Sequence, residues 1–590
     1  MNITATTRQT MIIAGLFQGT VMLALHEWFK ANGFTPADMI WVAPAYVLAA
    51  LAPITFNFLR SEFSAAKSLA GAATSTMIIA ATAVWFGWSV GAGGDAARQV
   101  TGLWATGVFV FASTSVVVWF VSLPFIQARL REDTWRFPYT RLFDDAWRNT
   151  LLVSNCIVFT GLFWLLLALW AGLFMVLHMG FFKDLFTSRF FIYIATATAI
   201  SFAVSLEEKE ATAFKTLRRY LLAFQTRLLP LAALIVVFFL GALPVSGLDP
   251  VWGTGHATPL MLSLQIAIIS LANAAWQDGE QAPPFSSPVQ WLIRAALALL
   301  PVLSALSIWS LSLRIAQYGW SVDRVWAAVA VSLTMLYSLG YAAGALLRGW
   351  LPTLGTVNTW MAILVVGTLL SIHTPLLDPQ RISASSQVSR LLSGSTEIEK
   401  FDFNYLRFSL GRPGDEALKA LAELSEHPKA DEIRAKVKDA LSRTDRHSAK
   451  QQPIPVAEEI AVRLKAYPTG VQIPPGFNEY LHARLTKNKF EYALGALKTG
   501  KPVPMVALDI GGDPQSEVIF IAAPYPVFTY AEGKWRQIGQ LNFTGPVPKP
   551  EEMQRLLEES NFAAIPRHWS DVRVGDKSGM LVLRATNATE

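Results

Sequence analysis

A single cysteine, Cys156, in 590 residues excludes any disulfide within the chain, and with it the small folds held together by such cross-links. Charge is scarce too. Asp, Glu, Lys and Arg make up 16% of the sequence, against about 25% in a soluble protein. With 52% hydrophobic residues and a mean hydropathy of +0.36, this deficit excludes an ordinary soluble chain and indicates a polytopic membrane protein. The sequence also lacks a Gly-rich phosphate loop of Walker type, a G-x-S-x-G elbow and a C-x-x-C pair, so neither ATP-driven work nor serine hydrolysis is expected. Carboxylates in the middle of apolar runs, the usual mark of ion-coupled transport, are few.

What the sequence does contain is eleven apolar runs of roughly spanning length between Met11 and His373. The first continues into His26, Glu27 and Trp28 with no small-x-small cleavage site, and reads as a retained helix. After Asp378 charges and prolines become frequent and no run of spanning length follows. The expected fold is therefore mainly α: a polytopic helical membrane domain over residues 1–375, a helical linker region over 376–450, and a soluble α+β domain over 451–590. In the last part VPMVALDI, EVIFIAA and PVFTYAEGKWRQIGQL alternate like strands, a turn falls at Glu532 and Gly533, and VRVGDKSGMLVLR reads as a closing hairpin, which together suggest an antiparallel sheet. Between Gly414 and Arg443 two short amphipathic helices are broken at Pro428.

The net charge of +6 requires no nucleic acid, because the cations sit in loops between apolar runs, where anionic lipid headgroups account for them. With eleven spans, one side collects Arg8, Arg60, Lys67, the arginines from Arg129 to Arg148, then Lys209, Lys215, Arg218, Arg219 and Arg227, and Arg294 and Arg348. The other collects only Lys30, Arg98, Lys183, Arg189, Arg314 and Arg324. The asymmetry predicts an inner-membrane protein with a cytoplasmic amino terminus and a periplasmic carboxyl-terminal domain. The stretch RFPYTRLFDDAWRN is amphipathic: Tyr139, Leu142, Phe143 and Trp147 share one helical face and Arg141, Asp144, Asp145 and Arg148 the other. It reads as an interfacial elbow helix seated in the headgroup layer.

Several stretches taken in order, YTRLFDDAWRN, FFKDLF, GLDPVWGTGHAT, QYGWSVDR, SASSQVSRLLSG and FDFNYLRFSLG, resemble the bacterial membrane family known as domain of unknown function 4153, from about Phe137 to Gly411. The resemblance implies a multi-spanning inner-membrane protein and transfers no reaction, cofactor or catalytic residue.

Four places hold residues capable of chemistry. In QYGWSVDR, Gly319 permits a tight reversal, Ser321 suits an N-cap, Asp323 suits the following helix dipole, and Tyr318 and Arg324 complete a turn that reads as structure or as a ligand rim. His26, His178, His256 and His373, with Glu27, fall near one membrane face and would form a metal or proton site only if distant helices converged, since none has H-x-x-x-H spacing. Asn57, Asn155, Asn273 and Asn358 lie inside apolar runs, where such groups join helices. Asp509, Asp513 and Glu517 stand at positions 1, 5 and 9 of a calcium-type loop that lacks its position-3 oxygen and has Pro514 where glycine belongs, so a plain turn is expected.

Three functions are consistent with this. The first is a non-enzymatic envelope protein whose exported domain binds or senses an envelope partner while the body contacts membrane lipids. The second is a transporter or lipid-handling protein, because eleven spans exceed what an anchor needs. The third is a membrane enzyme at the periplasmic face, resting on the histidines alone.

Overall fold

The structure, a computed structural model, describes residues 4–33, 35–91, 103–132, 134–206, 211–253, 256–280, 282–443, 454–471, 475–487, 492–499, 502–510, 516–523, 525–541, 543, 547–548, 550–564, 572–574 and 577–579. The chain divides into two compact units, Met1–Asp445 and Arg446–Glu590.

The first unit is helical. In chain order it comprises α1 (Ala5–Ala31), α2 (Met39–Arg60), α3 (Ala65–Val90), α4 (Leu103–Glu132), α5 (Tyr139–Val176), α6 (Phe181–Thr187), α7 (Arg189–Ser205), α8 (Ala211–Ser246), α9 (Asp249–Gly253), α10 (Ala257–Trp276), α11 (Ser287–Tyr318), α12 (Val322–Leu346), α13 (Leu354–Ile372), α14 (Pro379–Leu392), α15 (Phe403–Ser409), α16 (Gly411–Ala422) and α17 (Ala430–Ser442). Among the described residues ten helices are long and apolar enough to cross a membrane, and α6 with α7, bent by 67°, makes an eleventh if counted as one span. Local signals start several of them. Thr4, Ser64, Ser188 and Ser321 each accept a backbone N–H of the first turn, which satisfies one of the donors a helix start leaves open.

The helices alternate in direction and build two apolar cores. One gathers α1 to α5 and α7 around Met11, Leu59, Ile79, Leu123 and Leu152; the other gathers α8 and α10 to α13 around Leu229, Ile268, Ile293, Tyr341 and Leu354. Helix α13 lies against α4 and α5 and so joins them. Close approach comes from small residues. On α1, Gly15 and Gly19 are spaced as G-x-x-x-G, and a Cβ at Gly19 would stand 2.6 Å from the Ile194 Cα of α7.

Neutral polar groups join the helices inside these cores. Asn57 donates to Ser201 at 2.8 Å, Trp119 to Thr55 at 2.8 Å, and Gln127 and Asn149 exchange amide bonds of 2.9 and 3.3 Å. The Asn155 amide reaches the Ala203 carbonyl at 3.5 Å. In the second core Asn358 donates to Tyr139 at 3.1 Å and to Asn273 at 2.9 Å, and accepts from the fully buried Tyr341 hydroxyl at 2.8 Å. Beside it Gln265 of α10 bonds Ser304 and Ser307 of α11, and Ser304 reaches Ser338 of α12 at 2.9 Å.

Helices α14 to α17 belong to this first unit, with their own core of Leu391, Leu406, Leu410, Leu418, Ile433 and Val437. The stretch expected to be a linker is thus a packed helical cap. Asp378 fixes its start: one carboxylate oxygen accepts the Gln380 and Arg381 N–H groups, and the other accepts Trp85 Nε1 at 3.0 Å and the Ser89 hydroxyl at 3.2 Å. Trp85 and Ser89 close α3, which runs away from the end where α1 begins, so the cap sits at the opposite end of the bundle.

The second unit holds α18 (Ala457–Arg463), β1 (Leu464–Tyr467), α19 (Phe477–Lys487), β2 (Val503–Leu508), β3 (Glu517–Phe520), β4 (Pro526–Ala531), β5 (Lys534–Gln540), α20 (Pro550–Glu558), β6 (Val572–Val574) and β7 (Lys577–Gly579). Strands β1 to β5 form one sheet in sequence order, and β6 pairs with β7. The sheet is mixed rather than antiparallel throughout, because β1 runs parallel to β2. Glu532 and Gly533, with φ of 54° and 76°, make the reversal between β4 and β5. Phe477, Phe520, Phe528 and Trp535 form its aromatic core.

Candidate functional site

The turn between α11 and α12 is gripped rather than open. On α14, Ser383, Ser386, Gln387 and Arg390 fall at i, i+3, i+4 and i+7, one face of the helix. Arg390 donates to the carbonyls of Ala316 and Gln317, Gln387 to those of Tyr318 and Trp320, and Ser383 to that of Trp320, while Ser386 accepts the Trp320 N–H. Gly319 has φ of 71°, and a Cβ there would lie 2.6 Å from the Arg390 side chain. Arg324 turns back to the Gly319 carbonyl at 2.8 Å and lies over the Tyr318 ring; Asp323 stands exposed in the first turn of α12. The two sequence motifs QYGWSVDR and SASSQVSR are therefore the two halves of one contact.

The histidines do not converge. His26 packs against Tyr193, Glu27 pairs with Arg189 at 3.6 Å, His178 is exposed past the end of α5, and His256 precedes α10. His373, at the end of α13, shares a 2.7 Å hydrogen bond with Thr114 and packs edge-on to Phe111. No three His, Cys, Asp or Glu among the described residues stand close enough to hold a metal. In the second unit Glu517 is buried and accepts the Ile510 N–H at 2.9 Å and the Thr529 hydroxyl at 3.1 Å, which ties the residues after β2 to β4. Asp509 directly follows β2; Asp513 lies outside the described residues.

The amphipathic stretch is not a separate elbow. Tyr139 begins α5, one helix of 38 residues, about 57 Å long. Leu142 and Phe143 are buried, and Phe143 packs with Leu222 and Ala274 of α8 and α10, with Tyr139 and Trp147 at the edge of that cluster. The opposite face is engaged in ion pairs, with Arg141 and Asp144 themselves exposed: Arg131 bridges Glu62 at 2.6 Å and Asp145 at 3.1 Å, Arg148 meets Glu62, Arg141 meets Glu132 at 2.7 Å, and Arg218 meets Asp144 at 2.7 Å. Both faces have protein partners, so the pattern reports helix packing at the end of the bundle where α1 begins.

Two apolar grooves remain in the first half of the bundle, and sequence reading did not single out either. One, of about 730 Å³, is lined by α2 from Met39 to Leu51 and by Phe111 and Ser115 of α4, with His26, Lys30 and Arg189 at its mouth. The other, of about 480 Å³, is lined by α3 from Lys67 to Ile79, by α4 from Val118 to Leu130, and by Val366 and Leu370. Lys67, Arg129 and Trp135 stand at its mouth, with the Arg129 guanidinium 5.3 Å from the Trp135 ring centre. Each groove follows thirteen residues of helix, about 18 Å from first to last, which is somewhat more than half of a hydrocarbon core about 30 Å thick. Lys30 closes α1 and Lys67 opens α3, so the two mouths face opposite ends of the bundle.

Ten or eleven apolar helices, joined by neutral polar contacts and grooved along their length, define a multi-pass α-helical membrane protein. Residues 256–424 match the family model described as Domain of unknown function (DUF4153). The match runs from the start of α10 past the end of α16 and so contains the gripped turn and the helix that grips it. It begins later than the resemblance read from sequence, leaving YTRLFDDAWRN, FFKDLF and all but the last three residues of GLDPVWGTGHAT outside. No curated protein and no solved structure matches the chain.

Proposed function

We propose that the membrane body is a lipid-handling protein that seats anionic amphiphiles in grooves matched to single leaflets. The observation that carries this is the pair of apolar grooves, each about one acyl chain long, with cations at mouths facing opposite ends of the bundle. A chain that served only as an anchor for its second unit would need neither groove. The enzyme reading loses its support, because the histidines it rested on are spread over separate partners.

Protein purified in mild detergent should carry phospholipid into a native mass spectrometer. Lys30→Glu and Arg129→Glu should each lower occupancy by anionic lipid about tenfold, the effect of losing one bond to a charged group, and leave zwitterionic lipid unchanged. Equal occupancy in wild type and both variants would falsify the reading.

The cation asymmetry supports an inner-membrane orientation with the start of α1 in the cytoplasm, and the placing of the cap at the opposite bundle end then supports a periplasmic position for residues 378–443. Alkaline phosphatase fused after Ser442 should be active, and one fused after Arg348 inactive; the reverse pattern would overturn the orientation.

A further inference from the structure

A third recess, at the end of the bundle where α1 begins, has a different character. It has a volume of about 930 Å³ and lies between α8, the end of α10 and the start of α11. Helix α8 supplies Arg218, Arg219, Leu222, Thr226, Arg227 and Pro230, a stripe that repeats every three to four residues and so lies along one face. The facing wall is Gln277 and the segment from Pro284 to Val289.

Among the described residues, three arginines line this recess and no carboxylate does. Arg218 is held in place: its guanidinium donates to Asp144 at 2.7 Å and stacks over the Phe143 ring at 4.8 Å. Arg219 and Arg227 are exposed and take part in no ion pair with a described residue. The acids nearest in sequence to the facing wall, Asp278 and Glu280, do not line it, and Asp278 is engaged with the Glu280 N–H at 3.2 Å. The start of α11, where Ser286 lines the recess and makes no side-chain cap, adds to the positive field.

Arginines that only followed the membrane charge asymmetry would project from the rim toward headgroups. These line a walled recess between helices, in a geometry that suits a planar fork donating to phosphate oxygens. Arg219 and Arg227 are eight residues apart, about 12 Å along the helix, so one phosphate does not occupy both ends.

We propose that this recess binds a ligand carrying two phosphate groups, one near Arg218 and Arg219 and the other near Arg227 and the start of α11. The site is separate from the acyl grooves and goes beyond the lipid-handling reading. The same chemistry occurs in a two-phosphate lipid headgroup and in a soluble bisphosphate whose phosphates are well separated.

The test uses the full chain in nanodiscs of zwitterionic lipid. Cardiolipin is added to the bilayer in one arm, with bound lipid counted by native mass spectrometry, and fructose 1,6-bisphosphate, whose phosphates sit at opposite ends of the molecule, is titrated calorimetrically in the other. Wild type should bind at least one probe, and the arm that responds identifies the source. Measured in a Lys30→Glu and Arg129→Glu background, which lowers groove occupancy by anionic lipid, Arg219→Gln with Arg227→Gln, both exposed, should weaken that binding at least about tenfold, whereas Arg314→Gln, exposed and outside the recess and both grooves, should leave it unchanged. Binding of neither probe, or equal binding by the double glutamine variant, would overturn the proposal.

Discussion

Replacing Asp378 with alanine releases the helical cap from the bundle while leaving the bundle folded. The carboxylate is almost fully buried and does two jobs at once. One oxygen closes the first turn of α14, and the other receives the indole N–H of Trp85 and the hydroxyl of Ser89. Losing the cap costs about 1 kcal/mol, and each lost bond to a charged acceptor about 1.5–3 kcal/mol. The cap has further grips, including Arg412 on the Trp88 carbonyl at 3.0 Å and the α14 contacts with the turn. The expected loss is therefore roughly 4–7 kcal/mol, felt as a partial release because the other grips remain. It should be seen as faster hydrogen exchange and proteolysis confined to α14–α17, while the helices of the two apolar cores exchange as before. Asp378→Asn, which keeps an acceptor for the cap, should lie between. Unchanged exchange in α14 for the alanine variant would show that the bonds to Trp85 and Ser89 hold nothing.

Asn358→Leu should lower the melting temperature of the whole bundle rather than of one part. Asn358 sits where α5, α10, α12 and α13 meet, and a leucine there fits the apolar surroundings but satisfies none of its partners. The Tyr341 hydroxyl, with no exposed surface, then has lost its acceptor. Interhelical hydrogen bonds in membranes average about 0.6 kcal/mol and reach about 1.7 kcal/mol, and a stranded buried hydroxyl adds about 1–3 kcal/mol. A total near 2–4 kcal/mol follows. Tyr341→Phe removes one donor and should cost about 1 kcal/mol. Thermal unfolding in detergent and in nanodiscs reads both; a leucine variant as stable as wild type would mean that the node is incidental to folding.

The number of spans was legible because each is an uninterrupted apolar run, and so were the asparagines that join them, because an amide in such a run has only another helix to bond. The partners of a face were not legible. The pattern of Tyr139, Leu142, Phe143 and Trp147 is the same whether lipid or protein covers it, and only the structure shows α8 and α10 there. The helices after Gly414 were read correctly as amphipathic and broken at Pro428, yet nothing in their periodicity says that they pack with the membrane unit. Sequence placed the histidines near one end of their spans but carries no information on which spans are neighbours, and His26 and His373 have separate partners, Tyr193 and Thr114. The grooves left no sequence signal, since a residue lining a crevice and one facing lipid are chosen from the same apolar set. One clue was present and went unused: QYGWSVDR and SASSQVSR carry complementary turn carbonyls and helix-face donors.

The neutral character of the contacts inside both cores also bears on voltage. A charge carried across a membrane exchanges about 2.3 kcal/mol with each 100 mV of potential. The groups that join the spans at Asn57, Gln265 and Asn358 are amides and hydroxyls, while the described ion pairs of this unit's spans gather near their ends, at Glu62, Arg131, Asp145, Arg189 and Arg218. Rearranging those inner contacts moves no formal charge through the field. The inner helix contacts are thus electrically silent, and the populations of their arrangements should be the same in a polarised and a depolarised vesicle.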